Sequence, residues 1–407
     1  MPAKRLSILL LCDDEPGNAS TILDHINAFG RYSRHQVKRF NPRGMPRIAA
    51  LDLNEFDVVV IHYSLVLIND SYVSSDFREK LRRFRGLKVQ FLQDEYRWVD
   101  AMTAVGRDIG IHVLFTVVPE PAAGQLYDSR LPGVRRVLTL TGFVPENVRE
   151  RPIRPLRLRP IDVGYRGRDL PWWLGRLAYE KQDIARQFRE RAPAYGLRTD
   201  IGWLEKDRIY GHRWVEFVES SRATLGTESG ASIADFDGSV ERVTRKHLAA
   251  TPGATFEEVH EAVLRPYEGN VRINVVSPRV FEAAALGTVL VMYPGEYSGV
   301  VSPGQHYLVL EKDFSNMDEV AAKLRDDAFM SALADRAHDH LVRSGRWSYE
   351  TFVKEFDEVV AEEAVTARGP SLAPRHRVAG GERWLRVQRA RLLRGAARLR
   401  RSSAHLS

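Results

Sequence analysis

The stretch SPRVFEAAALGTVLV at residues 277–291 carries the clearest structural pattern of this 407-residue chain. Pro278 suits the first turn of a helix, where a backbone N–H has no partner in any case, and Gly287 suits its end. Arg279 and Glu282 are the charged residues of the first turns, and the apolar run after the glycine has the length of a buried strand. The stretch therefore predicts a helix followed by a buried strand, one half of an α/β repeat.

Outward from this stretch, short β-branched runs alternate with amphipathic segments, the pattern of parallel sheets covered by helices. In the first half the predicted strands are residues 6–12, 58–62, 89–92, 112–116 and 136–141, with a helix over 19–29. In the second half the predicted strands are residues 161–165, 199–203 and 223–225, and the predicted helices are 174–191, 210–220, 256–264, 317–342 and 349–364. The sequence therefore predicts two successive α/β halves.

A proline-rich segment without helical periodicity separates the halves, with prolines at 145, 152, 155 and 160. We predict a Rossmann-like domain over residues 1–150, a linker over 151–160, a second Rossmann-like domain over 161–366 and a tail over 367–407. Ligands of parallel sheets bind at the carboxyl ends of the strands. The two domains are therefore expected to face each other across a cleft.

Charge and cysteine content narrow the class of protein. The net charge is +7, but residues 368–407 hold eleven arginines against one acid, Glu382, so this tail carries +10 and the remainder −3. The body is therefore not a polyanion-binding protein by charge. The single cysteine, Cys12, excludes an internal disulfide, and no run of eighteen apolar residues or signal peptide is present. We expect a cytoplasmic protein.

The 277–291 stretch resembles the nucleotide-binding segment of GT-B glycosyltransferases of the group 1 type, and most closely the CgeB-like branch, in which the pattern R-x-F-E-A-x-A-x-G-x-x-x-V recurs. The resemblance continues through residues 295–299, 306–307 and 312–316. It implies a GT-B fold and transfer of a sugar from a nucleotide-diphosphate sugar by a metal-independent, hexosyltransferase-like enzyme without a cofactor. Glu282 would accept hydrogen bonds from the ribose hydroxyls, and Arg279, Tyr297 and Ser298 would lie in the same nucleotide-sugar site.

One position departs from the family pattern. Many retaining members carry two glutamates eight positions apart, and the place of the first is Asn274 in this chain. The resemblance therefore leaves open whether the anomeric configuration is retained or inverted.

Basic residues after the first strand of the second half are candidates for the diphosphate. A turn before a helix presents backbone N–H groups, and arginine and lysine neutralise phosphate charge. Arg166 and Arg168 follow the predicted strand, and Arg176 to Lys181 resembles the G-R-x-x-x-E-K turn of these transferases. We predict that Arg166, Arg168 and Lys181 contact the diphosphate and that Arg176 points outward from its helix.

A loop rich in glycine, serine and acidic residues spans 225–238. Because it follows a central strand, Glu228 and Ser229 are predicted to line the nucleotide-sugar site. Asp235 and Asp237 lack the ligand spacing and terminal glutamate of a calcium loop, so no metal is predicted there.

The first domain is expected to hold the acceptor and the catalytic base. Side chains at strand ends point into the cleft, which makes Asp94 the first candidate, Glu95 the second and His62 the third. An inverting enzyme would need such a base to take the proton of the acceptor hydroxyl, whereas a retaining enzyme would use these residues for positioning.

The tail completes the predicted set of partners. Over residues 382–401 the apolar side chains fall on about one third of a helix circumference, with arginines opposite. We expect a basic amphipathic helix on an anionic membrane surface, a glycan or lipid-linked acceptor of the cell envelope as in polysaccharide biosynthesis, a peripheral location on the inner face of the plasma membrane, and no nucleic acid partner.

Other classes of protein fit parts of the pattern. The acidic pair after residues 6–12 is typical of a response-regulator receiver, but His62 stands where the phospho-accepting aspartate belongs. A sugar-nucleotide-binding protein that has lost catalysis and a sugar-nucleotide epimerase with the same fold both remain open, because fold alone does not give function.

Overall fold

The computed structural model describes residues 5–43 and 51–366. Apolar β-branched runs such as VVVI in the third strand become strands buried on both faces, which is where parallel sheets place such sequences. The first sheet has six parallel strands in the order β2-β1-β3-β4-β5-β6. Its elements are β1 (Ser7–Leu11), α1 (Ser20–Tyr32), β2 (Gln36–Phe40), β3 (Val58–Ile61), α2 (Ser75–Arg83), β4 (Leu87–Phe91), α3 (Val99–Ile109), β5 (Val113–Thr116), α4 (Ala122–Tyr127), β6 (Arg135–Leu138) and α5 (Glu146–Arg149).

The second half forms a five-stranded parallel sheet in the order β13-β12-β9-β7-β8, beside a separate antiparallel pair, β10 and β11. Its elements are β7 (Ile161–Arg166), α6 (Arg176–Arg191), β8 (Thr199–Gly202), α7 (His212–Ser220), β9 (Ser221–Gly226), β10 (Ser229–Ala231), α8 (Ser239–Ala250), α9 (Phe256–Val259), β11 (Ile273–Val275), α10 (Pro278–Ala285), β12 (Val289–Met292), β13 (Leu308–Val309), α11 (Met317–Arg325), α12 (Asp327–His338) and α13 (Tyr349–Thr366). The predicted α/β fold class with two parallel sheets is confirmed.

Several elements differ from the prediction for local reasons. Strand β2 was not predicted, because QVKRF lies at the sheet edge and is largely polar. The single helix expected over 317–342 is divided at Asp326, whose carboxylate accepts a hydrogen bond from the N–H of Phe329 and caps α12. The antiparallel pair and α8 form a small unit inserted between β9 and α10.

The last helix of the described chain returns to pack against the first domain. Helix α13 packs on α1, and Phe352 and Phe356 join the core of the first sheet. The segment before β7 is held to the second sheet by Arg159, whose buried guanidinium donates to the carbonyls of Ser221 and Leu286 and to the hydroxyl of Thr288. The exact domain boundaries stay a prediction.

None of the helices within the described ranges combines the length and the apolar character that a bilayer crossing requires. The predicted amphipathic tail helix lies outside the described residues.

Candidate functional site

An open cleft lies at the carboxyl ends of the central strands of the second sheet. Tyr165 near the end of β7, residues 224–227 at the end of β9, and Ser277 just before α10 form its walls. Strand order reverses between β7 and β9, and such a reversal opens a crevice for ligands in parallel sheets. The second domain therefore offers a binding site at the place where its topology predicts one.

Lys181, on α6, lines this cleft without a counter-ion. Its ammonium forms no hydrogen bond or ion pair with any residue in the described ranges. Burial, and then the positive charge of Arg279, lower its pKa to about 8, while the negative charge of Asp94 acts in the opposite direction. Leaving an ammonium partly buried without a partner costs free energy that a bound anion would recover.

Arg279 is the second cation of the cleft and lies in the first turn of α10. Its guanidinium carbon lies 5.6 Å from the ring centroid of Tyr165 and 5.5 Å from that of Trp214. The aromatic rings hold the guanidinium, and one of its N–H groups contacts the Tyr165 hydroxyl. Because a guanidinium carries five N–H donors, the others remain available to a ligand. Because the N-terminus of α10 carries partial positive charge as well, the cleft favours an anionic ligand.

Glu282, one turn further along α10, lies at the edge of this region. One of its oxygens, Oε2, accepts a hydrogen bond from the indole N–H of Trp214 at 2.8 Å. Burial raises the pKa of Glu282, and the Trp214 hydrogen bond and the charge of Arg279 oppose that shift. Lys181, Arg279 and Glu282 thus lie close to one another in the second domain, and their contacts with a nucleotide stay a prediction.

The three arginines named from sequence differ in their distance from the cleft and in their partners. Arg168 is exposed and its charge acts on Lys181, so it lies near the cleft. Arg166 instead forms an ion pair with Asp200 at 2.8 Å and lies 4.2 Å from the ring centroid of Phe217. Successive strand residues point to opposite faces, so when Tyr165 lines the cleft Arg166 turns away from it. Arg176 pairs with Glu257 on the surface at 2.7 Å.

Glu228 is a buried carboxylate that organises the loop above α10. Its Oε1 accepts hydrogen bonds from the N–H groups of Glu296 and Tyr297 at 2.9 and 3.0 Å and from the Asn274 side-chain amide at 3.1 Å. Asn274, where the family pattern expects a glutamate, thus contacts the carboxylate of the residue just before the neighbouring strand β10. Glu228 therefore fixes the backbone of the loop at Glu296 and Tyr297 through its side chain.

Tyr297 and Ser298 belong to the same loop and also act on the backbone. Both adopt positive φ angles, 47° and 53°, which tighten the turn. The Tyr297 hydroxyl donates to the carbonyl of Tyr293, and the Ser298 hydroxyl oxygen accepts from the N–H of Val276 at 3.0 Å. Ser229 opens β10 and pairs with Val275. These residues lie around the N-terminus of α10, near the cleft. Their hydrogen bonds hold the backbone of the loops beside it.

Asp94 belongs to the first domain and lies close enough to Lys181 for its charge to raise the pKa of that ammonium. It is exposed and accepts a hydrogen bond from the Tyr96 hydroxyl at 2.8 Å. A solvent-accessible carboxylate opposite the cationic site can take a proton from a hydroxyl group bound between them.

Glu95, the next residue, is buried and points away from the cleft. Its carboxylate accepts hydrogen bonds from the Thr116 hydroxyl at 2.5 Å, from the Val117 N–H at 2.8 Å and from the Tyr127 hydroxyl. Burial raises the pKa of Glu95 to about 7, and the hydrogen bonds oppose this. This carboxyl ties the end of β5 to α4.

His62 is fully buried and neutral, because burial and the neighbouring His25 hold its pKa well below its ordinary value. The Ser64 N–H donates to Nδ1 at 3.0 Å, which places the ring proton on Nε2, 2.9 Å from Nδ1 of His25. His62 therefore donates to His25 inside the core and does not reach the cleft.

The described residues contain no group of three or more histidine, cysteine, aspartate or glutamate side chains arranged to hold a metal ion. Asp235 accepts hydrogen bonds from the N–H groups of Val240 and Glu241, and Asp237 accepts one from that of Ser239. Both aspartates therefore cap the start of α8.

Two residues near the site were not identified from sequence. Trp214 contacts Glu282 from α7, and no local pattern marks a tryptophan for that contact across 68 residues. Asp24 on α1 bears a charge that raises the pKa of Glu282, and burial followed by the charge of Glu146 raises its own pKa to about 6. Asp24 stands among the polar residues of an amphipathic helix, so nothing in the sequence pattern marks it as a site residue.

No protein-family model matches this chain, and no curated protein sequence matches it. Solved structures do match its fold. An alpha-glucosyltransferase in complex with UDP and a 13-mer DNA containing a HMU base superposes with a TM-score of 0.51 at 10% identity, over 88% of this chain and 100% of that one. The T4 phage BGT in complex with UDP and Mn²⁺ gives 0.52 at 12% identity, over 87% and 99%.

A further structure, described as the DNA modifying enzyme beta-glucosyltransferase, matches with a TM-score of 0.51 at 12% identity, over 87% of this chain and 99% of that one. At these identities the likeness shows the fold alone, and it confirms the predicted GT-B fold. It does not confirm the CgeB-like branch. The predictions of a glycan acceptor and of no nucleic acid partner are wrong, because the matching structures include complexes with DNA. The location on a membrane surface stays a prediction.

Proposed function

We propose that this protein is a glycosyltransferase that transfers a sugar from a UDP-sugar. The observation that carries the proposal is the unpaired ammonium of Lys181 in a cleft that it shares with Arg279 at the N-terminus of α10. A diphosphate matches this charge and geometry, since its oxygens accept from ammonium, guanidinium and helix N–H groups together. The matching folds bound to UDP support uridine as the nucleoside.

The proposed step is a displacement at the anomeric carbon of the sugar. Asp94 takes the proton of the acceptor hydroxyl, the hydroxyl oxygen bonds to the anomeric carbon, and the bond to the diphosphate oxygen breaks with its electron pair leaving on UDP. Lys181 and Arg279 stabilise the charge that develops on that oxygen. Because the cationic side chains supply this stabilisation, we predict that turnover persists in EDTA, although one matching structure holds Mn²⁺.

Replacing Lys181 by methionine should weaken UDP binding by about 10- to 100-fold, because a hydrogen bond to a charged group contributes about 1.5 to 3 kcal/mol. Uridine, which lacks the diphosphate, should bind both proteins equally. Isothermal titration calorimetry with UDP and uridine measures the two affinities.

Arg176→Gln is the matched control for this test, since Arg176 lies on the same helix and pairs with Glu257 outside the cleft. It should bind UDP like the wild-type protein. If Lys181→Met weakened UDP and uridine by the same factor, Lys181 would have a structural role and the diphosphate site would be disproved.

For the acceptor we propose DNA that carries a hydroxylated base. The matching glucosyltransferases bound to DNA support the macromolecule, and transfer requires an alcohol that unmodified bases lack. Asp94 is exposed at the cleft, where a large acceptor can reach it. The body of the chain carries −3 and the tail from residue 368 carries +10, so attraction of the DNA backbone falls mainly to the tail.

The experiment is transfer of labelled glucose from UDP-glucose to duplex DNA with and without 5-hydroxymethylated pyrimidines. We expect label only on the hydroxymethylated duplex, and a chain ending at residue 366 should lose DNA affinity most at low salt. Label on neither duplex, with UDP-glucose bound tightly, would instead support a sugar-nucleotide-binding protein without catalysis. Equal DNA affinity of the two chains at low salt would disprove the role of the tail.

A further inference from the structure

Trp214 fixes one side of the Glu282 carboxylate from a different helix. Its indole N–H donates to Oε2 at 2.8 Å, while Phe217, three residues further along α7, packs against the ring at 5.9 Å between centroids. The Arg279 guanidinium lies 5.5 Å from the centroid of the same ring. The indole is therefore held in place between its own helix and α10.

The contact between Trp214 and Glu282 bears on a possible ion pair within α10. Arg279 and Glu282 are three residues apart on one helix, a spacing at which arginine and glutamate readily form an ion pair. In the structure no ion pair joins these two described residues, and Arg279 acts on Glu282 only through its charge. An ion pair between them would remove a cation from the diphosphate and an acceptor from the ligand at once. Trp214 occupies Oε2 of Glu282, and Arg279 lies over aromatic rings with one contact to the Tyr165 hydroxyl. The other carboxylate oxygen and the remaining guanidinium N–H groups therefore stay available to a ligand.

We propose that Trp214 is a positioning residue that aims Glu282 at the ribose of the donor and so makes the site selective for ribonucleotides. Within the described ranges Oε1 of Glu282 has no hydrogen-bond partner, which leaves it free for a ribose hydroxyl. The inference rests on the proposed donor site and adds a residue to it. It assigns Trp214 to the specificity for the sugar of the nucleotide, apart from the diphosphate contacts.

The test compares UDP with 2′,3′-dideoxy-UDP, which keeps the base and diphosphate but offers no ribose hydroxyl. In the wild-type protein we expect UDP to bind about 10-fold more tightly, the range of a hydrogen bond to a carboxylate. Trp214→Phe keeps an aromatic ring and removes the N–H donor, and it should bring the ratio of the two affinities close to one. Calorimetry measures the ratio, and a shared loss of packing would weaken both ligands without changing it.

Glu282→Gln separates the failure of this inference from that of the proposed function. A ratio that falls in Glu282→Gln but stays near the wild-type value in Trp214→Phe would overturn the role of Trp214 and leave the donor site intact. A wild-type protein that does not distinguish the two nucleotides, or a ratio unchanged in Glu282→Gln, would overturn the ribose contact of Glu282 and with it this inference. The donor site itself would be overturned if UDP did not bind, or if Lys181→Met weakened UDP and uridine equally.

A second measurement needs no variant and applies even where Trp214→Phe fails to fold. In ¹⁵N-tryptophan-labelled wild-type protein, we expect an indole N–H resonance that shifts on addition of UDP and stays in place with 2′,3′-dideoxy-UDP. The absence of any indole signal with that behaviour would contradict the inference.

Discussion

Asp94→Asn should lower kcat by about 10²- to 10⁴-fold, the usual contribution of a positioned general base, and should leave the affinity for UDP close to that of the wild-type protein. The amide keeps the size of the side chain and its contact with the Tyr96 hydroxyl, but it cannot take a proton from the acceptor. Asp94 lies on the first domain and forms no ion pair with the cations that bind the diphosphate, although its charge acts on Lys181. Steady-state transfer assays and UDP calorimetry on the same preparations measure the two quantities.

The matched control is Asp100→Asn, an exposed carboxylate of the same domain that pairs with Arg130 at 2.6 Å. This variant should turn over at the wild-type rate. Normal turnover in Asp94→Asn would mean that the base lies elsewhere, and Asp24, whose charge acts on Glu282, would be the next residue to replace.

Glu95→Gln should change the pH dependence of stability, whereas it should leave transfer intact because its side chain lies away from the cleft. Burial raises the pKa of Glu95 from 4.5 to about 7. A folded-state pKa above the unfolded value gives stability that is fully present below pH 4.5 and is lost as the pH rises through 7. The wild-type protein should therefore lose about 3 kcal/mol of unfolding free energy relative to Glu95→Gln between pH 4.5 and 8.

Urea unfolding of both proteins from pH 4.5 to 8.5 measures this difference. Asp24, whose pKa is raised to about 6 by burial and the charge of Glu146, titrates in both proteins and cancels in the comparison. Unfolding free energies that run parallel with pH would show that the carboxyl of Glu95 titrates near its ordinary pKa in the folded protein.

Asp94 and Glu95 illustrate the limit of sequence reasoning about the site. Both follow β4 and both are carboxylates at the end of a parallel strand, so sequence makes both of them candidates, with Asp94 placed ahead of Glu95. In the fold, Asp94 is exposed opposite Lys181, while Glu95 turns inward to donors on β5 and α4. Glu95 turns inward because Thr116 and Tyr127, which are distant in sequence, donate hydrogen bonds to it. No local sequence pattern indicates which of the two carboxylates these donors will bind.

The basic residues show the same limit. Arg166, Arg176 and Lys181 all fit a phosphate site by spacing and charge. Asp200 and Glu257, contributed by β8 and α9, neutralise the two arginines, and only the lysine of the three stays without a counter-ion among the described residues. A basic side chain is therefore available to a ligand only where the fold places no acidic side chain beside it.

The amino-acid sequence by itself determined the two α/β halves, the helix and strand around residues 277–291, and the placement of Glu282 and Arg279 on one helix. These features follow from periodicity and from glycine and proline positions, which act through the local backbone. The tertiary structure alone decided which charged groups remain unpaired, that Trp214 holds Glu282 away from Arg279, and that His62 is a core residue. Burial and pairing join residues far apart in the chain, and their energies exist only once the fold has brought those residues together.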